Sequence, residues 1–304
     1  MKLNRLLALT TLCCGLQVAR VSFAADFEGT IKLRALSVDT KQLSSLVGEQ
    51  STTDAAKLFA IPMDKLLALK GQANSSLQVL EPTIAIKGAK VRADGVGREH
   101  DQYVLMDLDK KTTWLVMPKD KKYFEWSAAD VQALNTKMEA MQKELESRLA
   151  TLPPEQRKQV EAMMKGMPGG SGAAPKVDLR PLGTTETING MSATAFEVRN
   201  GGEQSVGWVT QEHKDLMQAF KALQESQEKM TPGHHGQKSD RLLLAERGLP
   251  VRVQTLDGGQ YRVEDVLDVK KQAVPADLFT IPAGFEKTTG QQMMKQAEHG
   301  GAGD

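Results

Sequence analysis

Residues 103–126 read YVLMDLDKKTTWLVMPKDKKYFEW, three short apolar runs separated by two lysine-rich turns. Tyr103 to Leu108 turns at Asp109-Lys110-Lys111, Thr112 to Met117 turns at Pro118-Lys119-Asp120-Lys121, and Lys122 to Trp126 closes the stretch. Runs this short are strands rather than helices, and connections this tight allow only antiparallel neighbours. The stretch is a meander with its lysines solvated in the turns.

Upstream, the strand pattern continues. Ile84 and Ile86 alternate into a Lys87-Gly88-Ala89 turn, and Val91 and Ala93 lead to Asp94-Gly95, a pair able to supply the positive φ of a tight turn. Nearer the start, Phe27, Gly29, Ile31, Leu33 and Ala35 alternate with Glu28, Thr30, Lys32 and Arg34, the period of a strand with one face buried. Between these lies a helical pattern over Thr53 to Gly71, with Thr52 or Thr53 available as cap and Pro62 dividing it.

Downstream, Ser127 ends the meander and opens a helix with Asp130 near its first amides; Val131, Leu134, Met138, Met141 and Leu145 recur at intervals of three and four. Pro153-Pro154 start a second helix that stops at Gly166. After a Gly, Ser, Ala and Pro-rich connection, Thr184 to Ile188, Ala193 to Arg199 and Gln204 to Val209 form a second meander around the turns Asn189-Gly190 and Asn200-Gly201-Gly202. A third helix follows, capped by Thr210 and carrying Leu216, Phe220 and Leu223. The last strands are Leu242 to Ala245, Leu249 to Leu256 and, across an Asp257-Gly258-Gly259 turn, the less regular Gln260 to Lys270.

These elements predict an α+β fold: a curved antiparallel half-barrel of roughly nine to eleven strands wrapped around amphipathic helices that cover its apolar face. The expected division is a leader at 1–24, one domain at 25–287 with helical insertions near 53–71, 127–166 and 211–230 and linkers at 166–176 and 231–239, and a frayed tail at 288–304.

The leader reads as an export signal. Lys2 and Arg5 precede a short apolar run, and Ser22-Phe23-Ala24 presents small residues before a cleavage point between Ala24 and Ala25. It holds both cysteines, Cys13 and Cys14, and neither follows the small residue of a lipidation site, so the mature chain is expected to be a cysteine-free periplasmic protein without a transmembrane segment. Removing Lys2, Arg5 and Arg20 from 39 basic residues leaves 36 against 38 acidic ones, a net charge of −2 that offers no platform for nucleic acid. Methionines number 14 and aromatics only 5% of residues, a composition that suits an adaptable interior.

Several short motifs then fall in order: Lys87-Gly88-Ala89-Lys90-Val91-Arg92, Met117 to Tyr123, Gly183 to Gly190, Gly207-Trp208-Val209, Gly248-Leu249-Pro250-Val251, and Phe279-Thr280-Ile281-Pro282-Ala283-Gly284-Phe285. Together they resemble the exported bacterial domain-of-unknown-function family numbered 4412 over most of residues 27 to 287. That family looks like a relative of the Lol-type (LolA/LolB-like) periplasmic lipoprotein carriers. The resemblance implies a curved half-barrel closing over helices around an apolar cavity, and it carries over no catalytic residue.

Sites for chemistry are few. His234 and His235 on a Gly-rich loop are the weak candidates for a metal, lacking a spaced third ligand, and no cofactor is expected. His100, beside Glu99 and Asp101, and His213 at a helix start read as solvated groups. No nucleophile elbow, His-Glu-x-x-His helix or phosphate-binding glycine loop occurs, so an enzyme is not expected. Trp114, Trp126 and Trp208 read as core with cavity lining as the alternative, and Phe279 to Phe285 as a turn anchoring the chain end. Two functions of different class fit. One is a non-enzymatic binding module holding a lipid, acyl chain or lipoprotein segment, lined by Met138, Met141, Leu145, Leu216 and Phe220. The other is an envelope protein-interaction or stress-sensing component with no ligand.

Overall fold

In the computed structural model, residues 27–72, 75–95, 102–127, 129–130, 132–133, 136, 140, 143–144, 147, 177–200, 203–221 and 240–289 are described. The alternating segment at the start forms β1 (Glu28–Asp39), which is central rather than peripheral. One edge pairs with β3 (Thr83–Lys87) and, further along, with β2 (Gln78–Leu80); the other pairs with β12 (Gln260–Lys271). Outward from β3 run β4 (Lys90–Asp94), β5 (Tyr103–Asp107), β6 (Thr112–Met117) and β7 (Lys122–Ser127). Outward from β12 run β11 (Leu249–Asp257), β10 (Glu203–Thr210), β9 (Met191–Asn200) and β8 (Val177–Ile188). Beside β7 lies β13 (Glu286–Thr288), in parallel. The two ends of this order, β13 and β8, do not pair with each other, so the curved sheet stays open.

The hairpins form where the sequence supplies turn residues. Asn189 and Gly190 take φ of 48° and 85° between the paired Ile188 and Met191, and Gly258-Gly259 likewise joins β11 to β12. The sheet has thirteen strands, more than the nine to eleven expected, because β2 and β13 are three residues long and carry no alternation to read. Among the described residues helix is the minor component, and the sheet itself dominates the fold. Pro62 divides the 53–71 segment into α1 (Ala55–Phe59) and α2 (Met63–Leu67), and Asp54 rather than a threonine caps the first, accepting from the amides of Ala56 and Lys57. Helical residues 214–221 (α3) follow Thr210, whose hydroxyl accepts from the Glu212 amide. Leu242 to Ala245, expected as a strand, belongs instead to α4 (Asp240–Ala245). A four-residue apolar run has no period of its own, and here its site is decided by Gly207, whose bare backbone lets Leu244 sit against β10. Ser127 and Asp130 make the expected capping bonds, the Ser127 amide donating to Asp130 Oδ2 at 2.8 Å.

Two apolar clusters position the site. The larger takes Ile31, Ile86, Val104, Met191, Trp208, Leu216 and Val251 among others from β1, β3, β5, β9, β10, α3 and β11. The second gathers Leu36, Val38, Tyr261 and Val263 under Leu58, Ile61 and Leu66 of the α1–α2 segment. Phe59 packs against both. On another part of the sheet, residues 274–288 form a strap. Val274 and Phe279 pack on Ala85, Ile281 and Phe285 on the Tyr103, Leu105 and Val116 cluster, and β13 then pairs with β7. Phe279 to Phe285 therefore anchors the chain end, with Phe279 buried and Ile281 and Phe285 half-buried.

Candidate functional site

Counting from the two-residue turn at Gly258-Gly259, β11 and β12 bring Arg252 opposite Asp265, Gln254 opposite Val263 and Leu256 opposite Tyr261. On the far edge of β11, Arg252 faces Trp208 of β10; on the far edge of β12, Asp265 faces Arg34 of β1. Residues directly opposite across strands, or two apart along one, share a face. One face therefore presents Trp208, Arg252, Asp265 and Arg34 in a row, with Gln254 one step and Tyr261 two steps along. The strands are spaced about 4.8 Å, so the row spans roughly 14 Å.

The polar groups here are inside the protein. Asp265 has a side chain 1% exposed and receives Arg252 Nε at 2.5 Å and a second guanidinium N–H at 3.2 Å. Such a bidentate pair is what allows a carboxylate to be buried at all. Arg34 is turned to the rim, where its Nε donates to the largely exposed Glu81 at 2.8 Å. Tyr261 is fully buried beneath the ring of Phe59, at a centroid distance of 6.2 Å. Burial pushes its phenol above the ordinary tyrosine range, with Arg252 pulling it down and Asp265 up by smaller amounts. Among the described residues, Trp208 Nε1, Gln254 Oε1 and Tyr261 OH have no hydrogen-bond partner. Each such buried group costs about 1–3 kcal/mol unless something supplies the missing bond. Three on one face of adjacent strands, at the junction of two apolar clusters, form a constellation in which polar binding groups border an apolar wall.

Of the residues expected to line a cavity, Leu216 is buried in the cluster that holds Trp208, and Phe220 packs against that cluster. Met138, Met141 and Leu145 lie outside the described residues, as do His100, His234, His235, Ala24 and Ala25. Among the described residues no group of three His, Cys, Asp or Glu side chains could hold a metal ion, and no helix is long and apolar enough to cross a membrane. The tryptophans divide. Trp208 and Trp126 belong to the large cluster, whereas Trp114 packs with Tyr103 and Val116 and donates to Glu125 Oε2 at 2.9 Å. A separate surface cavity of about 500 Å³, lined by Leu46, Val47, Lys57, Ile61, Pro62 and Lys65 among others, opens beside α1 and α2 and shares no residue with the polar row. Arg252, Gln254, Tyr261 and Asp265 were not singled out by motif or alternation. The signal that finds them is the turn: two residues at Gly258-Gly259 fix the register that places Arg252 across from Asp265.

Set beside known proteins, the chain has no match among curated ones. Of solved structures, an uncharacterized conserved protein from Thermus thermophilus is similar at 9% identity and a TM-score of 0.37, covering 86% of this chain and 91% of that one. A structure of PNGF-II in space group P21 gives 9% identity and a TM-score of 0.34, covering 89% of this chain and 33% of that one. The motifs at Lys87 to Arg92 and Met117 to Tyr123 fall outside the segment that a family model recognises. That segment, residues 168–285, holds β8 to β12 and most of the strap, and it matches the family described as domain of unknown function (DUF4412).

Proposed function

We propose that this is a non-enzymatic binding protein, exported to the periplasm by its leader, that holds an amphipathic guest: a lipid, an acyl chain or an acylated segment of a lipoprotein. The observation that carries the reading is the trio of buried, unpartnered polar atoms on Trp208, Gln254 and Tyr261, set where the two apolar clusters meet. A guest with an apolar tail and a polar end meets both requirements at once. Leu216 and Phe220 of α3 belong to the apolar wall. The resemblance to family 4412, which looks like a relative of the periplasmic lipoprotein carriers, supports the same reading. Asp265 is committed to Arg252, and among the described residues no nucleophile pairs with a base on this face, which is why a hydrolytic role is not proposed. Native mass spectrometry and lipid extraction of the protein purified from periplasm test it. Co-purified lipid and saturable uptake of a fluorescent fatty acid are expected, and reproducible absence of both would sink the reading.

A second reading, an envelope protein-interaction component without a ligand, is favoured by β8. This twelve-residue strand ends the sheet, has β9 as its one neighbouring strand among the described residues, and carries exposed residues from Pro181 to Thr187, Leu182 among them. Such an edge can accept a strand from a partner. A crosslinker placed at Leu182 that captures a defined envelope protein in cells, with no lipid bound to the purified protein, would select this reading over the first.

A further inference from the structure

We infer that the polar row is the receiving end of that binding site and that it takes an anionic head group, a carboxylate or a phosphate monoester carried on the apolar tail. The inference rests on the carrier reading and narrows it to a ligand class. The donor and acceptor inventory points this way. A guanidinium has five N–H groups, and Arg252 gives two of them to Asp265, leaving three uncommitted among the described residues. Trp208 Nε1 and Tyr261 OH are two more donors without partners, and Gln254 Oε1 is the one unpartnered acceptor. What is missing is therefore a group rich in acceptor oxygens.

The charge of the row agrees. Arg34 and Arg252 stand on either side of Asp265 in cross-strand register, two cations against one buried anion. The balancing Glu81 is an exposed group at the rim, and exposed pairs of this kind contribute little. Of the other acidic side chains on these strands, Glu264 is engaged with Arg241 of α4, and Asp257 and Asp268 lie beside Arg262 and Lys270. A carboxylate or phosphate laid along Arg252 would take guanidinium N–H groups the buried aspartate does not use, together with the indole and phenol donors, while its tail followed Leu216, Val206 and Val251. The phenol is held protonated by burial, so it stays a donor across the physiological range.

Four amphiphiles with the same sixteen-carbon tail separate the possibilities: palmitate, hexadecyl phosphate, hexadecanol and methyl palmitate, titrated into the full-length mature protein by calorimetry. Palmitate or hexadecyl phosphate is expected to bind at least about tenfold more tightly than the alcohol and the ester, and the tighter of the two identifies the anion. Tyr261→Phe and Trp208→Phe are the informative variants, because each removes a buried donor that has no partner among the described residues. Tyr261→Phe should keep or raise the melting temperature of the free protein, and both variants should lower anion affinity by about fivefold or more, a larger loss than either causes for the alcohol. Equal affinity for all four tails, or unchanged anion affinity in both variants, would overturn the head-group assignment and leave the carrier reading standing. Binding of none of the four would overturn both.

Discussion

Gly207 shows how much one absent atom decides. A Cβ built there would lie 2.3 Å from Leu244 Cδ1, so any other residue forces the buried Leu244 side chain, or the helix that carries it, to shift. Gly207→Ala is expected to destabilise the fold by about 1–3 kcal/mol, read as a lower thermal midpoint, with Leu244→Ala restoring part of the loss in the double variant. Asp265 makes the complementary case. Replacing it with leucine strands the Arg252 guanidinium inside, and the expected cost is about 3–5 kcal/mol in denaturant unfolding, whereas changing Arg252 and Asp265 together to apolar residues should recover much of it. Gly207 does not announce its role in the sequence. Gly207 sits inside a strand with nothing nearby to mark the helix that lands on it, because that helix comes more than thirty residues later. The Arg252–Asp265 pair, by contrast, was legible in principle, since the glycine turn sets its register and only the counting was needed.

Among elements, the strap from Val274 to Thr288 is the clearest case of a short motif acting through position. Its contacts are modest one by one: Phe279 on Ala85, a guanidinium N–H of Arg92 to the Leu278 carbonyl at 3.1 Å, and three parallel pairings of β13 with β7. Lys287 Nζ lies 2.6 Å from Glu125, which also accepts from Trp114. Those bonds hold Glu125 below its ordinary value of 4.5, and the same pair holds Lys287 above its ordinary 10.5. A lowered carboxylate pKa contributes stability that is complete above the ordinary value and is lost as pH falls through the lowered one. A raised ammonium pKa contributes below its ordinary value and is lost as pH rises through the raised one. Hydrogen-exchange protection at residues 286–288, taken relative to the unfolded rate at each pH, should therefore be greatest between these limits and fall on the acid side, and Glu125→Gln should remove the acid-side change. The effect will be small, since both side chains are partly solvated. That Phe279 to Phe285 anchors a chain end was readable from its proline, glycine and flanking apolar residues. That it would end in a parallel strand was not, because three residues carry no period. For the same reason Leu242 to Ala245 read as strand until Gly207 supplied the surface that makes it a helix.

For the whole molecule, a guest that binds only the folded state must stabilise it. At one hundred times its dissociation constant the gain is about 2.7 kcal/mol, which for a domain of this size corresponds to a thermal midpoint about 5–10 °C higher. A fatty acid that binds by calorimetry yet leaves the melting curve unmoved would show that it binds the unfolded chain equally. The meanders, the hairpin turns and the open antiparallel sheet were all legible in alternation and turn chemistry, since each depends on neighbours close in sequence. The order of the strands was not. β1 has the pattern of a strand with one wet face, and nothing in it says that it will be flanked on both edges. Its second neighbour comes at the far end of the chain: Gly29 pairs with Lys271. Of the described strands the earliest in the chain is thus a middle strand of the sheet, and its second edge is covered only by the last long strand. A ribosome delivers β1 with one of its edges unserved, and that edge waits while more than two hundred residues are added. Contacts this distant are slow to form, so the time between synthesis and closure, rather than the depth of the folded minimum, is when this chain is most exposed to pairing with a strand that is not its own.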